Sequence, residues 1–519
     1  MKDGKKNKIS RDSSSVSIWQ EIDYAFSGQK LRNETDQNKI YDCLIIGAGI
    51  TGITAALLLQ RQGLSCAVAE AEQPGFGTTG GTTAHLSTFF DSSYADVERD
   101  FGKNSSKLLF QAGNNALDLI KSLIYELKID CDFAPESAWL YAENKEESIQ
   151  LEEIYKASKR AGAKVEMDDK NIVPVPFESV IRFDQQAQFH PLKYLYGLIR
   201  EFMRLGGILS NQTRIRTSEF SDGIHTAHSD HLTIRSKNLI YASHVPPGVN
   251  LMSFKNAPYR SYVLALKLKD KNYPKGLIYD MRKPYHYFRT HTKDGEKYLI
   301  VGGEDHKTGH EDPQLAFQQL KEYVNQYYNV ESVVYEWSAQ YYVPTDGLPY
   351  IGRFPGASES TYMATGFNGD GMIYGTLSAK IISDLILKGK NRFASLFSPS
   401  RIKLISGFSD FIKENFDVAW HFIADRFSTE QLSQLNNIQR GHGKLVEFQD
   451  KKLAIYKNKS GKITALNPVC THAGCIVNFN YAEQSWDCPC HGGRYNTSGK
   501  ILCGPPTKDL ETVLIKFDT

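Results

Sequence analysis

Tyr41-Asp42-Cys43-Leu44-Ile45-Ile46-Gly47-Ala48-Gly49-Ile50-Thr51-Gly52 decides the architecture. A buried-strand run leads directly into three glycines spaced G-x-G-x-x-G, and the apolar stretch at 53–62 continues as a helix. The spacing has a steric logic. Gly47 permits the tight turn, Gly49 lets the backbone approach a pyrophosphate at the helix N-terminus, and Gly52 allows close packing of helix on strand. Gly63 stops the helix, and a second strand at 65–69 ends in Glu70, placed to accept from a ribose 2′-hydroxyl. The unit reads as the βαβ start of a dinucleotide-binding α/β domain.

Downstream of Glu70, Gly75-Phe76-Gly77-Thr78-Thr79-Gly80-Gly81-Thr82-Thr83-Ala84 offers amides and hydroxyls, Thr79 and Thr82 among them, that can continue along a longer cofactor. A second signal is far away. Asp346-Gly347-Leu348-Pro349-Tyr350-Ile351-Gly352 precedes a strand at 361–365, then Gly366-Phe367-Asn368-Gly369-Asp370-Gly371-Met372 and a helix through Leu387. A glycine loop at a helix start places N–H groups and a positive dipole end against a reduced, anionic flavin. No second dinucleotide fingerprint follows, which argues against a pyridine-nucleotide reductase.

These paired segments resemble the FAD-dependent oxidoreductases of the D-amino acid oxidase, glycine oxidase and sarcosine oxidase group, over residues 39–391. The resemblance implies FAD contacts from Gly47, Gly49, Gly52, Glu70, Asn368, Gly369, Asp370, Gly371 and Met372. It also implies a Rossmann-like FAD-binding domain (about 39–90, 185–250 and 343–391) interleaved with an α+β substrate domain (about 91–184 and 251–342). Within it, His190-Pro191-Leu192 opens an amphipathic helix to Leu205, stopped by Gly206-Gly207. The strand-rich stretch 259–342 would roof the flavin. There Tyr285, Tyr287 and Arg289 alternate onto one strand face, so Tyr287 and Arg289 are substrate-binding candidates, Arg289 by forking onto a carboxylate. A solvated arginine beside core aromatics is the competing reading. His85 is a conceivable covalent flavin site, and a non-bonding histidine beside the cofactor is the better expectation.

Near the C-terminus, Cys470-Thr471-His472-Ala473-Gly474-Cys475 and Cys488-Pro489-Cys490-His491-Gly492-Gly493 supply a second chemistry. Cys-x-His plus Cys-x-x-His offers two thiolates for one iron and two imidazoles for the other of a 2Fe-2S core, with Cys470, His472, Cys488 and His491 as ligands. Replacing two thiolates by neutral imidazoles removes two negative charges. The cluster then accepts an electron at roughly −150 to +300 mV, against about −400 mV for an all-cysteine ferredoxin. The same donors can hold zinc. The extra Cys475 and Cys490 and the Gly504-Pro505-Pro506 loop instead resemble the Rieske subunits of respiratory and photosynthetic cytochrome complexes. That resemblance implies a small all-β domain at 437–519 and a Cys475–Cys490 disulfide. In a reducing compartment, where disulfides persist poorly, the same residues would stand as buried thiols. It also places Tyr495 as a donor to a cysteine sulfur, and Gly493 where those subunits carry a serine that donates to a sulfide.

The rest of the 519 residues bounds the answer: 61 basic against 59 acidic residues leave no footprint for nucleic acid. Five of eight cysteines follow Val469, so Cys43, Cys66 and Cys131 read as core fillers. Residues 1–38 form a tail and lead-in, the Lys- and Ser-rich stretch 1–17 reading as disordered and lacking export features. No run of 18 apolar residues occurs, so a cytoplasmic protein without a spanning segment is expected. Residues 392–436 read as a helical connector, with a surface helix at 402–427 and a peripheral membrane contact as the less common meaning of such a stripe.

Together the segments resemble bacterial FAD oxidoreductases with a C-terminal Rieske domain. The implied reaction is dehydrogenation of a small amine or amino acid, with electrons leaving the flavin one at a time through the 2Fe-2S cluster to a redox protein or quinone. Two alternatives belong to other classes: an electron carrier without its own organic substrate, and a Rieske oxygenase. The oxygenase lacks a two-His-one-carboxylate set, since His85, His190, His286 and His306 are scattered.

Overall fold

The computed structural model describes residues 12–21, 39–169, 172–401, 438–448 and 451–513. The quoted glycine turn joins strand Ile40–Ile46 to helix Ile50–Arg61, and Cys66–Ala69 returns parallel beside the first strand. Thr233–Tyr241 pairs parallel on the other side, followed outward by Thr361–Thr365 and the antiparallel edge Tyr350–Arg353, while Ile208–Ser210 extends the opposite edge. Strands from three separated stretches therefore build one doubly wound sheet. Helices Ile50–Arg61 and Gly371–Lys388 pack on it, and both begin at its C-terminal edge, where such sheets bind ligands. The helix expected after His190 spans Pro191–Arg204, with His190 Nδ1 accepting from the Lys193 N–H at 3.3 Å as its N-cap.

The second sheet has nine strands and roofs the glycine edge of the first. Its long antiparallel strands are Asn256–Leu268, Glu296–Lys307 and Val330–Pro344, and Tyr287–Lys293 pairs with Glu296–Lys307. Ala134–Ala142 and Ser179–Gln188 carry the sheet on to His85–Leu86, so the chain enters the roof directly from the Gly/Thr run. The α+β substrate layer is thus interleaved with the FAD-binding layer. Helices Tyr94–Phe101, Lys103–Leu127 and Lys145–Ala161 flank it.

The C-terminal unit is all β: a three-stranded sheet from His442 to Leu466 and a four-stranded sheet from Asn478 to Cys503. It packs on the roof. Arg260 and Glu483 form a buried ion pair across the junction, with Arg260 Nη2 3.6 Å from Glu483 Oε1. That separation is electrostatic contact rather than a hydrogen bond. Arg260 Nε donates to Ser338 Oγ at 2.6 Å, and Ser338 Oγ bonds Glu483 in turn.

Of the stretch 1–17 expected to be disordered, 1–11 lie outside the described residues, and 12–17 correct the expectation as part of an ordered segment, 12–21. Asp12, Ser17, Ile18 and Trp19 are buried. Arg494 Nη1 donates to the Asp12 carbonyl at 2.7 Å, and Ser14 Oγ donates to the Ala482 carbonyl at 2.6 Å. Ser17 Oγ and Trp19 Nε1 donate to the carbonyls of Gly80 and Thr82, each at 2.6 Å. The segment straps the C-terminal unit to the cofactor loop. The surface helix expected at 402–427 lies outside the described residues. No described helix is long and apolar enough to cross a membrane.

Candidate active site and metal centre

One cavity runs from the glycine turn to the underside of the roof, lined by Gly47, Gly49, Glu70, Thr79, Thr82 and the loop 368–372. Gly52 does not line it. A Cβ there would sit 1.9 Å from the Gly47 carbonyl oxygen, so Gly52 shapes the turn from behind. A Cβ on Gly49 would meet only Thr79 Oγ1, at 3.1 Å, leaving the space in front of the turn for a ligand. The N-cap residues Gly49 and Asp370 make no side-chain cap; Ile50 N–H donates to Thr79 Oγ1 at 3.1 Å, and the remaining first-turn N–H groups of both helices are left for a ligand. Glu70 accepts from the N–H groups of Ala48 (2.8 Å) and Glu72 (2.9 Å), and burial pushes its carboxyl above the usual range against those two donors. The donors and the bare turn suit a cofactor with two phosphates and a ribose, spanning both helix starts.

Beneath the roof the lining changes to Asp91, Asp305, Tyr279, Tyr285, Tyr287 and Tyr341. Tyr287 is therefore at the cavity, its hydroxyl 2.7 Å from Ser261 Oγ. Arg289 is not, which corrects the expectation that it binds a substrate carboxylate. Its fully buried guanidinium donates to the carbonyls of Thr83 (2.9 Å), Ala84 (2.9 Å) and Phe189 (3.3 Å) and lies over the Trp19 ring. Desolvation lowers it to about 9, yet it stays a cation that pins the Gly/Thr run to the roof. His85 also lines the cavity, with Nδ1 2.9 Å from Tyr279 Oη, and burial holds it neutral.

In the C-terminal unit the four candidate metal ligands come together on adjacent loops. Cys470 and Cys488 are buried beside each other, and the rings of His472 and His491 stand edge to face 4.8 Å apart. Both imidazoles leave a buried Nδ1 with no hydrogen-bond partner. His472 Nε2 lies 3.2 Å from the Gly248 carbonyl, which can only accept, so the proton sits on Nε2 and the Nδ1 lone pair is bare. That is the tautomer a metal-bound histidine needs, fixed by a partner behind the ring. Cys475 and Cys490 are joined as a disulfide. The sulfurs of Cys475, Cys488 and Cys490 also lie within 4.8 Å of one another, but two of them are spent on that bond, so these three do not form a ligand set. Tyr495 Oη is 3.2 Å from Cys470 Sγ. These residues fit a 2Fe-2S core held by two thiolates and two imidazoles.

The two sites share a wall. Leu502, Cys503, Gly504 and Pro506 of the metal-binding unit line the cofactor cavity. From the roof strand Val330–Pro344, Gln340 Nε2 donates to the Gly492 carbonyl at 2.9 Å and Tyr342 Oη to the His491 carbonyl at 3.1 Å. On the cavity side, Thr78 Oγ1 donates to the Gln340 carbonyl at 3.0 Å, and His244 meets Tyr342 edge-on with ring centroids 4.8 Å apart. Gly492 needs its missing side chain here, since a Cβ would lie 2.6 Å from Pro258.

Comparison with known proteins agrees with this geometry. The profile of the DAO family, FAD dependent oxidoreductase, matches residues 42–385, and that of the Rieske 2Fe-2S domain matches residues 430–514. The Bacillus subtilis protein YhfW, named as a Rieske 2Fe-2S iron-sulfur protein, is 33% identical over 477 residues, covering 91% of this chain and 93% of its own. Gamma-glutamylputrescine oxidoreductase of Escherichia coli is 24% identical over 71% of this chain and 89% of its own. Among solved structures, glycine oxidase from Geobacillus kaustophilus superposes with a TM-score of 0.59 at 17% identity, over 70% of this chain and 99% of that one.

Proposed function

Because the chain belongs to the FAD dependent oxidoreductase family and carries a C-terminal Rieske 2Fe-2S domain, we propose that it dehydrogenates a small amine or amino acid and passes the electrons through the cluster to an external acceptor. FAD, when bound, takes two electrons from a C–H bond beside nitrogen, whereas a 2Fe-2S cluster holds one extra electron at a time. The observation that carries this reading is the shared wall: residues 502–504 and Pro506 of one cofactor's domain line the cavity of the other.

The protein's own residues supply orientation and exclusion. The Gly47 to Gly52 turn and Glu70 would hold the dinucleotide end, and the loop 368–372 would place helix-start N–H groups where negative charge builds up. The roof closes the reacting end from water. Cys470, His472, Cys488 and His491 would hold the cluster, with Gly248 orienting His472 and Tyr495 donating toward Cys470. A redox protein or quinone would serve as acceptor. An amine substrate also accords with the name of the gamma-glutamylputrescine relative. A carrier without its own substrate would not need the roofed, polar cavity beside the flavin position.

The test is an absorbance spectrum of the purified protein, followed by anaerobic addition of a panel of amines and amino acids. The proposal predicts flavin bleaching by at least one compound, with reduction of the cluster alongside. Bleaching by none of them, while dithionite still reduces both cofactors, would favour the carrier.

A further inference from the structure

The cavity's end beneath the roof has a charge that the cofactor's phosphates and ribose do not use. Asp91, Asp305 and Asp370 face into it. Asp91 Oδ2 accepts from the Gly369 N–H at 2.8 Å, and Asp370 Oδ2 from the Asp91 N–H at 3.0 Å, so these two acids are locked against each other across the flavin loop. Asp305, on the roof strand Glu296–Lys307, accepts from Tyr341 Oη at 2.7 Å. Its other oxygen, Oδ1, is enclosed without a hydrogen-bond partner, and the Ser261 hydroxyl, shared with Tyr287, lies near enough to favour the carboxylate. Asn368, 7% exposed, presents a second enclosed acceptor without a partner. The Tyr285 hydroxyl closes over Gly369, 3.2 Å from where a Cβ would stand.

No described lysine or arginine lines this end. Among the described residues the one arginine on the cavity, Arg214, lies beside Glu72, with which it pairs at 3.3 Å, and donates to the Ile501 carbonyl. Arg289 is committed to backbone carbonyls, and His85 is neutral. Burial pushes Asp305 up to about 7, and pushes Asp91 and Asp370 upward as well. That is the state of acids buried together, with the His286 charge offsetting it only in part.

Building on the amine dehydrogenase reading, we propose that this end of the cavity takes the ammonium of a cationic amine that bears no carboxylate next to the reacting carbon. An ammonium offers three donors and no acceptor, which matches the unpartnered oxygens of Asp305 and Asn368, while the unpartnered Nε2 of neutral His85 can serve either way. The rings of Tyr285, Tyr287 and Tyr341 line the same end, where a cation can gain cation–π attraction. A substrate carboxylate would instead enter among buried acids that already disfavour negative charge, with no described guanidinium to fork onto it.

The test compares two ligands of one shape on the FAD-loaded holoprotein: tert-butylammonium and pivalate. Neither has a hydrogen on the carbon bearing the charged group, so neither is turned over, and binding is read by calorimetry and by perturbation of the flavin spectrum. Tert-butylammonium should bind at least tenfold more tightly than pivalate, and Asp305→Asn should weaken it at least tenfold with flavin content unchanged. Pivalate binding as tightly, no ammonium binding at all, or an Asp305→Asn protein with full flavin and unaltered ammonium affinity would overturn the proposal. If that variant loses its flavin, the wild-type comparison decides alone. The parent reading fails separately. Bleaching by amino acids but not by amines sinks only the substrate class, whereas an ammonium preference with no bleaching by either sinks only the dehydrogenase.

Discussion

Gly49 and Gly52 lie within one turn, yet an added methyl group meets different neighbours at each. At Gly52 it runs into the Gly47 carbonyl at 1.9 Å, whereas at Gly49 it finds only Thr79 Oγ1 at 3.1 Å. Gly49→Ala should therefore fold and bind FAD weakly, while Gly52→Ala should lose stability even without FAD, by about 1–3 kcal/mol as overpacking does. Thermal melts of the flavin-free proteins, with flavin titrations, separate the two cases. Around the cluster, Tyr495→Phe removes a donor to the Cys470 sulfur. The more negative reduced state loses most, so the midpoint potential should fall, by roughly 40 mV for a bond worth about 1 kcal/mol. The reverse experiment, Gly493→Ser, looks like a clean gain of a donor from the motif alone. The structure makes it otherwise, because a Cβ there would stand 2.6 Å from the Pro506 ring, so the proline loop must move before any hydroxyl can act. Asp305 gives a pH signature. Its folded-state value near 7 lies above the usual carboxyl value. Its contribution is therefore intact below about pH 4 and is lost as pH rises toward 7. The nearby Asp91 charge enlarges that loss, and His286 opposes it. Asp305→Asn should gain stability over wild type across that window and hold a constant lead above it, read by denaturant melts at successive pH values. What could be read from sequence at this scale was local. Cys470, His472, Cys488, His491 and the turn glycines declare themselves by spacing, but Asp91 and Asp305 are more than two hundred residues apart and meet only through the fold. Arg289 misled because alternation along a strand names a face without saying which layer covers it.

Among elements, the roof strand Val330–Pro344 is the hinge of the account. It carries Ala339, Gln340 and Tyr341 on the cavity and reaches the cluster loops through Gln340 and Tyr342. Its strand character was legible in the sequence, and its place in the roof was implied by the family resemblance. Its contact with the C-terminal unit was not, since nothing in a β-pattern says what will dock on its end. The Arg260–Glu483 pair clamps that junction with both side chains 1% exposed. Glu483→Gln leaves the guanidinium buried and unpaired, a loss of about 3 kcal/mol. The expected outcome is faster proteolytic release of the C-terminal unit and slower cluster reduction, with the flavin spectrum unchanged. The strap at 12–21 carries the same lesson. A Ser-rich composition reads as disorder, but Trp19 is fully buried and Asp12 meets a buried arginine, partners that lie far along the chain.

At the scale of the whole molecule, two cofactor domains that could each be read from sequence are assembled so that one lines the other's cavity. The domain identities were legible because each rests on a compact motif. Their juxtaposition depends on side chains spread from Asp12 to Thr507, and no local spacing encodes it. Direct transfer within one chain is what the proposed function requires of this arrangement, and its kinetics are distinctive. In an anaerobic rapid-mixing experiment, with flavin reduction followed by absorbance and the cluster by freeze-quench electron paramagnetic resonance, one equivalent of a reducing amine should bring up the reduced-cluster signal as the flavin reoxidises. The rate should not change when the protein is diluted tenfold. A cluster that stays oxidised, or a rate that falls in proportion to protein concentration, would contradict it.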